Sequence, residues 1–184
     1  GLNVTPSIFL TKGDEVNLQQ YFEDFKTDQF IVKPAVSGGS KNTFKVTAAN
    51  VDEINEKLKT LVQIEDFILQ PFIKEIEENG ELSFLFFNGK FSHALLKKAA
   101  KGDFRVQATF GGTVHPQQPS DELVAAAQKY IDQFAKGCLY ARVDGAMVNN
   151  EFMLMELELI EPFLFLDTNE KALENYYEAL KELV

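Results

Sequence analysis

Apolar positions along the chain fall into two rhythms, and these predict the elements. Short apolar runs at Ile8 to Leu10, Phe30 to Val36, Phe44 to Thr47, Phe67 to Phe72, Leu82 to Phe87, Lys90 to Lys97, Leu139 to Val148 and Phe152 to Leu159 read as strands. Asn88-Gly89, between two of them, is a strong two-residue hairpin signal. Elsewhere the apolar residues recur at helical spacing. Leu18, Tyr21, Phe22 and Phe25 follow Asn17, with Gln20 in capping-box position. Val51, Ile54, Leu58 and Leu61 follow Asn50, with Glu53 in the same relation. Leu123, Val124, Ala127, Ile131 and Phe134 follow Ser120, whose hydroxyl suits an N-cap. Leu173, Tyr177, Leu180 and Val184 mark a last helix from about Asn169. Gly102 to His115 reads as loop-rich. Pro34 and Pro71 interrupt their strands, since proline lacks the ladder donor. A boundary is expected at Pro71, dividing residues 1–70 from 71–184. Hairpins and helices mix without a strict β-α-β rhythm, so the class is α+β.

Charge and composition narrow the function. The 184 residues carry 28 acidic and 18 basic side chains, a net charge of −10, which argues against a general nucleic-acid binder. One cysteine excludes an internal disulfide, and with two histidines it cannot build a Cys/His zinc site. No apolar run approaches ~20 residues, so no membrane span is expected, and a cytoplasmic protein is the default. The opening Gly1 in place of Met reads as the cut end of an excised domain, a processed natural N-terminus being the alternative. Cys138 is expected to be buried and inert, and His93 to be a satisfied structural histidine.

The segment from Leu139 to Leu159 is the most informative. A two-residue loop at Asn149-Asn150 would pair Asp144 with Met155. A three-residue loop, 149 to 151, pairs Val148 with Phe152 and Asp144 with Glu156. The second register puts Ala141, Val143, Gly145, Met147, Met153, Met155, Leu157 and Leu159 on one apolar face. The other carries Arg142, Asp144, Ala146, Val148, Phe152, Leu154, Glu156 and Glu158, and this separation selects the register. Asp144, Glu156 and Glu158 then converge. Three carboxylates so close call for a cation, and hard oxygen ligands suit Mg²⁺. A solvated edge hairpin, with Arg142 opposite Glu158 as a weak surface pair, is the alternative. Phe152 and Leu154 beside the charges weigh against it.

Lys33 lies in a run of Phe, Ile, Val and Ala, and a buried ammonium there needs an anionic partner, a protein carboxylate or a ligand phosphate. The polar loop Ser37 to Thr43 follows, with Gly38 and Gly39 allowing backbone amides to approach phosphate oxygens. It is neither a Walker A loop nor a dinucleotide fingerprint. Lys97 and Arg105 flank the second loop region, either as surface charges or, for Arg105, as a fork for phosphate or carboxylate.

Taken in order, Val32-Lys33-Pro34 with the Ser/Gly loop, Gln70-Pro71-Phe72-Ile73, Gly80-Glu81, Gly102-Asp103-Phe104-Arg105, Phe110-Gly111-Gly112, Ala141-Arg142-Val143-Asp144 and Met155 to Pro162 resemble the ATP-grasp superfamily. The likeness is to its glutathione-synthetase-like branch, which includes the ribosomal-protein glutamate ligases and the cycloserine-forming cyclo-ligases. It implies two α+β lobes with antiparallel sheets that clasp ATP between them, the smaller over 1–70 and the larger over 71–184. By this resemblance Lys33 contacts adenine and the α-phosphate. Ser37, Gly38, Gly39, Ser40 and Thr43 close over the β- and γ-phosphates. The backbone of Gln70, Phe72 and Ile73 reads the adenine edge, and Glu81 holds the ribose. Asp144, Glu156 and Glu158 bind Mg²⁺, as one ion or two, with Mn²⁺ as a substitute. Glu156 is the expected bridge, and Arg105 and Lys33 are the catalytic cations. Many members carry Asn at the position of Glu158. The implied activity is a carboxylate–amine ligase working through an acyl phosphate, with small-molecule or peptide carboxylate and amine substrates. A non-catalytic ATP-binding module for regulation or assembly is the alternative. Family members add an N-terminal substrate domain and a further lysine, both expected upstream of this chain, so the fragment alone is expected to be inactive. The family often forms homo-oligomers.

Overall fold

A computed structural model describes residues 1–100, 103, 105–106 and 110–184. The α+β class read from the sequence is present as two antiparallel sheets, each covered by its own helices. One unit comprises Thr5–Ile73, and the other Gly1–Val4 with Lys74–Val184. The division after residue 70 is therefore displaced to Ile73, and the first four residues belong to the larger unit rather than the smaller. The amide of Leu154 donates to Asn3 O at 3.0 Å, and the Tyr130 hydroxyl donates to the same oxygen at 2.5 Å.

In the smaller unit, β1 (Ile8–Leu10), α1 (Tyr21–Phe25), β2 (Gln29–Pro34), β3 (Phe44–Thr47), α2 (Val51–Leu61) and β4 (Phe67–Pro71) follow in sequence. The sheet order is β1-β4-β2-β3. Phe30 and Val32 on β2 pack with Phe67 and Leu69 on β4 against Ile54 and Leu58 of α2, and the rings of Tyr21, Phe22 and Phe25 surround Phe30. Both prolines sit where their missing donor costs nothing. Pro34 lies beyond Val32, the last β2 residue paired to β3, and Pro71 is the last residue of β4, so neither strand is broken. The two capping boxes expected at Asn17 and Asn50 do not form. Asn55 Oδ1 accepts from Leu18 N, while Asn50 Oδ1 accepts from Thr47 N, each at 2.8 Å. Asparagine competes for nearby backbone donors, and here closing the β3–α2 turn wins.

The larger unit contains α3 (Lys74–Asn79), β5 (Glu81–Phe87), β6 (Lys90–Lys98), β7 (Thr113–Gln117), α4 (Asp121–Phe134), β8 (Tyr140–Val148), β9 (Glu151–Glu158) and α5 (Ala172–Leu183). Its sheet order is β7-β6-β5-β8-β9. Neither α3 nor β7 was expected; β7 begins inside the stretch read as loop-rich and runs past its end at His115 to Gln117. Asn88 and Gly89, both at positive φ, close the β5–β6 hairpin as expected. Ser120 caps α4 by accepting from Leu123 N. Phe84, Phe86, Ala94, Ala141, Val143 and Phe152 pack with Ala127, Tyr130 and Ile131 of α4. Tyr130 takes the core place expected for Phe134, which is exposed. The α5 stripe is also exposed at Leu173, Tyr177 and Leu180, while Ala172 and Ala179 are its buried residues. Cys138 is half-buried rather than buried.

The β8–β9 hairpin corrects its expected register. The loop is the two-residue Asn149-Asn150, with Val148 opposite Glu151 and both asparagines at positive φ. A β-bulge at Asp144/Gly145 then absorbs Met155, so Asp144 still faces Glu156 and Arg142 faces Glu158. Asparagine tolerates the left-handed turn, whose twist matches the strands. Beyond the bulge the faces exchange: Phe152 and Leu154 join the core and leave the charged face. Gly145 allows the crossing. A β-carbon there would lie 2.4 Å from Met153 O and 2.5 Å from the Phe152 ring. Gly145→Ala is expected to destabilise the unit by about 3 kcal/mol, as overpacking against backbone that cannot yield. A lower urea midpoint at unchanged slope checks this.

His93 is buried, with Nε2 donating to Leu164 O at 3.1 Å and Nδ1 paired with the Ser92 hydroxyl at 3.0 Å. Burial holds its pKa below the usual value, the hydrogen bonds to the Leu164 and Phe165 carbonyls opposing. The neutral ring is thus favoured in the fold. Its contribution to stability is present above the unfolded pKa, about 6.5, and is lost as pH falls toward the lower folded value. Stability is expected to drop between about pH 7 and 5, and His93→Gln to flatten that slope in urea titrations.

Candidate functional site

Strand alternation puts one set of polar side chains on the sheet face opposite α4. Glu81 and Ser83 come from β5, Lys97 from β6, Arg142 and Asp144 from β8, and Glu156 and Glu158 from β9. Cross-strand partners set their contacts: Glu81 opposes Lys97, Ser83 opposes Asp144, Asp144 opposes Glu156 and Arg142 opposes Glu158. Carboxylate oxygens of Asp144, Glu156 and Glu158 lie within 4.8 Å of one another. Asp144 is 1% exposed, Glu158 is half-buried and Glu156 faces solvent.

Asp144 is the hub. Its Oδ1 accepts from the Ser83 hydroxyl at 2.6 Å and from Arg142 Nε at 3.0 Å. Its Oδ2 accepts from Lys97 Nζ and Arg142 Nη2, both at 2.9 Å, and shares Arg142 Nε at 3.0 Å. Lys97 also pairs with Glu81, and Arg142 also pairs with Glu158. The Arg142 Nη1 donates to Phe163 O at 3.1 Å. Burial pushes the Asp144 carboxyl up, but the Lys97 and Arg142 charges, with hydrogen bonds from Arg142 and Ser83, outweigh it and hold its pKa low. Burial raises Glu81 despite Lys97. Glu158 rises to about 6, through burial opposed by Arg142 and reinforced by Asp144 and Glu156.

The donor set fits a small hard cation. Three carboxylates from neighbouring strands bring oxygens within 4.8 Å of one another, oxygen donors are the ligands Mg²⁺ takes, and Glu156 opens the set to solvent. The reading of Arg142 and Glu158 as a surface pair is overturned: Arg142 is 7% exposed, because the segment carrying Phe163 folds over it. Sequence reasoning also missed Ser83 and the central place of Lys97, which is 8% exposed. Counted from the Asn88-Gly89 turn alone, Glu81 would face Leu96; a β-bulge at Leu85/Phe86 skips Ser92 and brings Lys97 opposite Glu81, a shift without a mark in the sequence.

The remaining candidates in the larger unit lie nearby in sequence. Arg105 holds Asp103 through Nε at 3.0 Å and Nη2 at 2.7 Å, and stacks 3.5 Å from the Phe110 ring centre. Gly102 and Phe104 of the same motif lie outside the described residues.

In the smaller unit, Lys33 is half-buried, in line with Gln29 and Ile31 on the less buried face of β2, so burial alone does not demand an ionic partner. Cross-strand neighbours on that face are Ile68, Gln70 and Lys45. Gln70 is buried, and its amide donates to the Ser7 hydroxyl at 2.9 Å. Lys45, unmarked in the sequence, sits 3.6 Å from the centre of the Phe72 ring. Ile73 is half-buried. The loop Ser37 to Thr43 is a pair of tight turns: Lys41 N donates to Gly38 O at 3.4 Å and Thr43 N to Ser40 O at 3.2 Å. Gly39 and Ser40 both adopt positive φ there. Ser37 donates to Lys41 O at 3.3 Å, which closes the turn.

Comparison with known proteins adds to this picture. Residues 3–167 match the family described as prokaryotic glutathione synthetase, ATP-grasp domain. The chain is 26% identical over 163 residues to the cycloserine biosynthesis protein DcsG of Streptomyces lavendulae, covering 84% of this chain and 54% of that protein. The crystal structure of D-cycloserine synthetase DcsG superposes with a TM-score of 0.84 at 22% identity, covering 98% of this chain and 65% of that one. A D-alanine–D-alanine ligase from Bacillus anthracis, solved with ATP, gives 0.68 at 20% identity, covering 99% of this chain and 59% of that one. The chain thus spans 54–65% of the length of these proteins. Among the described residues no helix is long and apolar enough to cross a membrane.

Proposed function

Because the chain belongs to the prokaryotic glutathione synthetase ATP-grasp domain family, we propose that it is the ATP- and Mg²⁺-binding part of a ligase that joins a carboxylate to an amine. The observation that carries this reading is the meeting of Asp144, Glu156 and Glu158 on one sheet face. A divalent ion held by Asp144, Glu156 and Glu158 would offset part of the triphosphate charge and make its γ-phosphorus more electrophilic. Lys33 contacts the adenine and α-phosphate, and the amides of Ser37, Gly38, Gly39, Ser40 and Thr43 cover the outer phosphates. Gln70, Phe72 and Ile73 frame the adenine edge. Glu81 reaches the ribose, and Arg105 steadies the transferring phosphoryl group. The substrate carboxylate attacks the γ-phosphorus, ADP leaves, and an amine displaces phosphate from the acyl phosphate to form the amide. The protein supplies position and charge compensation.

This activity is assigned to the chain together with an upstream substrate-binding region. With that region present, ATP, Mg²⁺ and hydroxylamine are expected to yield ADP and hydroxamate in equal amounts when a panel of amino-acid and peptide carboxylates is supplied. Nucleotide binding with neither product would favour a regulatory or assembly module.

A further inference from the structure

The geometry points to Lys97 as the resident cation of the metal site: its ammonium holds a place on Asp144 that a divalent ion must take, so the two exclude each other there. This rests on the metal reading of the acidic face and adds a residue to which that reading gives no part.

The argument is a count of lone pairs. A carboxylate offers about four acceptor positions, two on each oxygen. Asp144 fills them with Ser83 on Oδ1, with Lys97 and Arg142 Nη2 on Oδ2, and with Arg142 Nε, which the two oxygens share at 3.0 Å each. A metal bond to Asp144 therefore displaces one of these donors. Ser83 is fully buried and bonded at 2.6 Å, so moving it leaves an unsatisfied hydroxyl. Arg142 is held at both ends, by Glu158 and by Phe163 O. Lys97 is different. It has a second carboxylate in Glu81, and its single ammonium on a flexible stem can turn to that partner and leave Asp144.

Charge points the same way. Among the described residues, Glu81, Asp144, Glu156 and Glu158, when ionised, are set against Lys97 and Arg142, an excess of two negative charges that one divalent ion cancels. Before the ion arrives, Lys97 keeps Glu81 and Asp144 together and holds the ligand geometry. The cost is affinity for the bare ion, since each entry breaks a charge-assisted hydrogen bond.

The probe is Mn²⁺ alone, followed through the electron paramagnetic resonance signal of the free ion, on the 184-residue chain. Lys97→Met and the double variant Lys97→Met/Glu81→Gln are both expected to bind Mn²⁺ at least about tenfold more tightly than wild type, the worth of a charged hydrogen bond no longer broken. The double variant decides, because it clears Asp144 without changing the formal charge of the cluster. If it binds no more tightly while wild type binds in a Glu156-dependent way, the inference about Lys97 is overturned and the metal reading stands. If Mn²⁺ binds neither wild type nor variants, both fall. Should the variants not fold, wild-type crystals soaked in Mn²⁺ give the answer. With an anomalous peak on Asp144, Lys97 Nζ is expected beyond about 3.5 Å from Oδ2 and still on Glu81. An ion on Asp144 with the ammonium still at 2.9 Å overturns the inference.

Discussion

Asp144→Asn is expected to lower stability by about 3 kcal/mol at neutral pH and to abolish divalent-ion binding. Asp144 is the buried anion that Lys97 and Arg142 share. Breaking a buried pair by neutralising one partner leaves the other charge uncompensated, which typically costs about 3–5 kcal/mol. The lower end applies because Lys97 retains Glu81 and Arg142 retains Glu158. The pH dependence follows from the sign of the shift. The folded pKa of Asp144 lies below its unfolded value, so its stabilisation is present above about pH 3.9 and is lost as pH falls through the folded value. The deficit of the variant, read as a shift in urea midpoint, should therefore be full at pH 7 and shrink below about pH 4. An equal deficit at all pH values would mean that the amide disturbs packing rather than charge.

Glu156→Gln is expected to do the opposite: little to the fold, much to the ligand. Glu156 faces solvent, and surface substitutions of this kind usually stay within about 0.5 kcal/mol. It is also the carboxylate between Asp144 and Glu158 in the acidic trio, and replacing an anionic ligand by a neutral amide removes charge and basicity together. Removing a residue that merely hydrogen-bonds a metal's ligand costs about 10–100-fold in affinity, so loss of a ligand is expected to weaken Mg²⁺-dependent ATP binding by at least about a hundredfold. Unchanged urea midpoints with lost calorimetric heat of binding would be the signature.

Much of this architecture was legible because local chemistry and burial agree. Asn88-Gly89 closes a hairpin wherever two strands can meet across it, and Phe84 to Phe87 reads as one apolar run because the strand is buried on both faces. The acidic pairing of Asp144 with Glu156 was also legible, though for a reason the structure replaces. Alternation suggested a three-residue loop, whereas a tighter turn and one bulged residue restore the same pairing. A bulge leaves no composition signal of its own; Gly145 is its only trace, and a lone glycine in a strand has several readings. The polar network was illegible because it is tertiary. Arg142 is covered by a carbonyl 21 residues away, and Lys97 looks like a strand-end surface charge until β5 and β8 are set beside it. The capping box at Asn50 failed because its side chain closes the turn before the helix instead, and beside Asn17 the Leu18 amide is taken by Asn55. The roles of Ser37 to Thr43 and of Gln70 to Ile73 came from resemblance alone, since a glycine-rich turn and a strand end fit many functions.

The most direct test is a calorimetric titration of the chain with ATP, in Mg²⁺ and again in chelator. Saturable heat that depends on the divalent ion and vanishes in Glu156→Gln is predicted. ATP binding of equal strength in chelator, or undiminished in Glu156→Gln, would contradict a metal-held triphosphate on the acidic face.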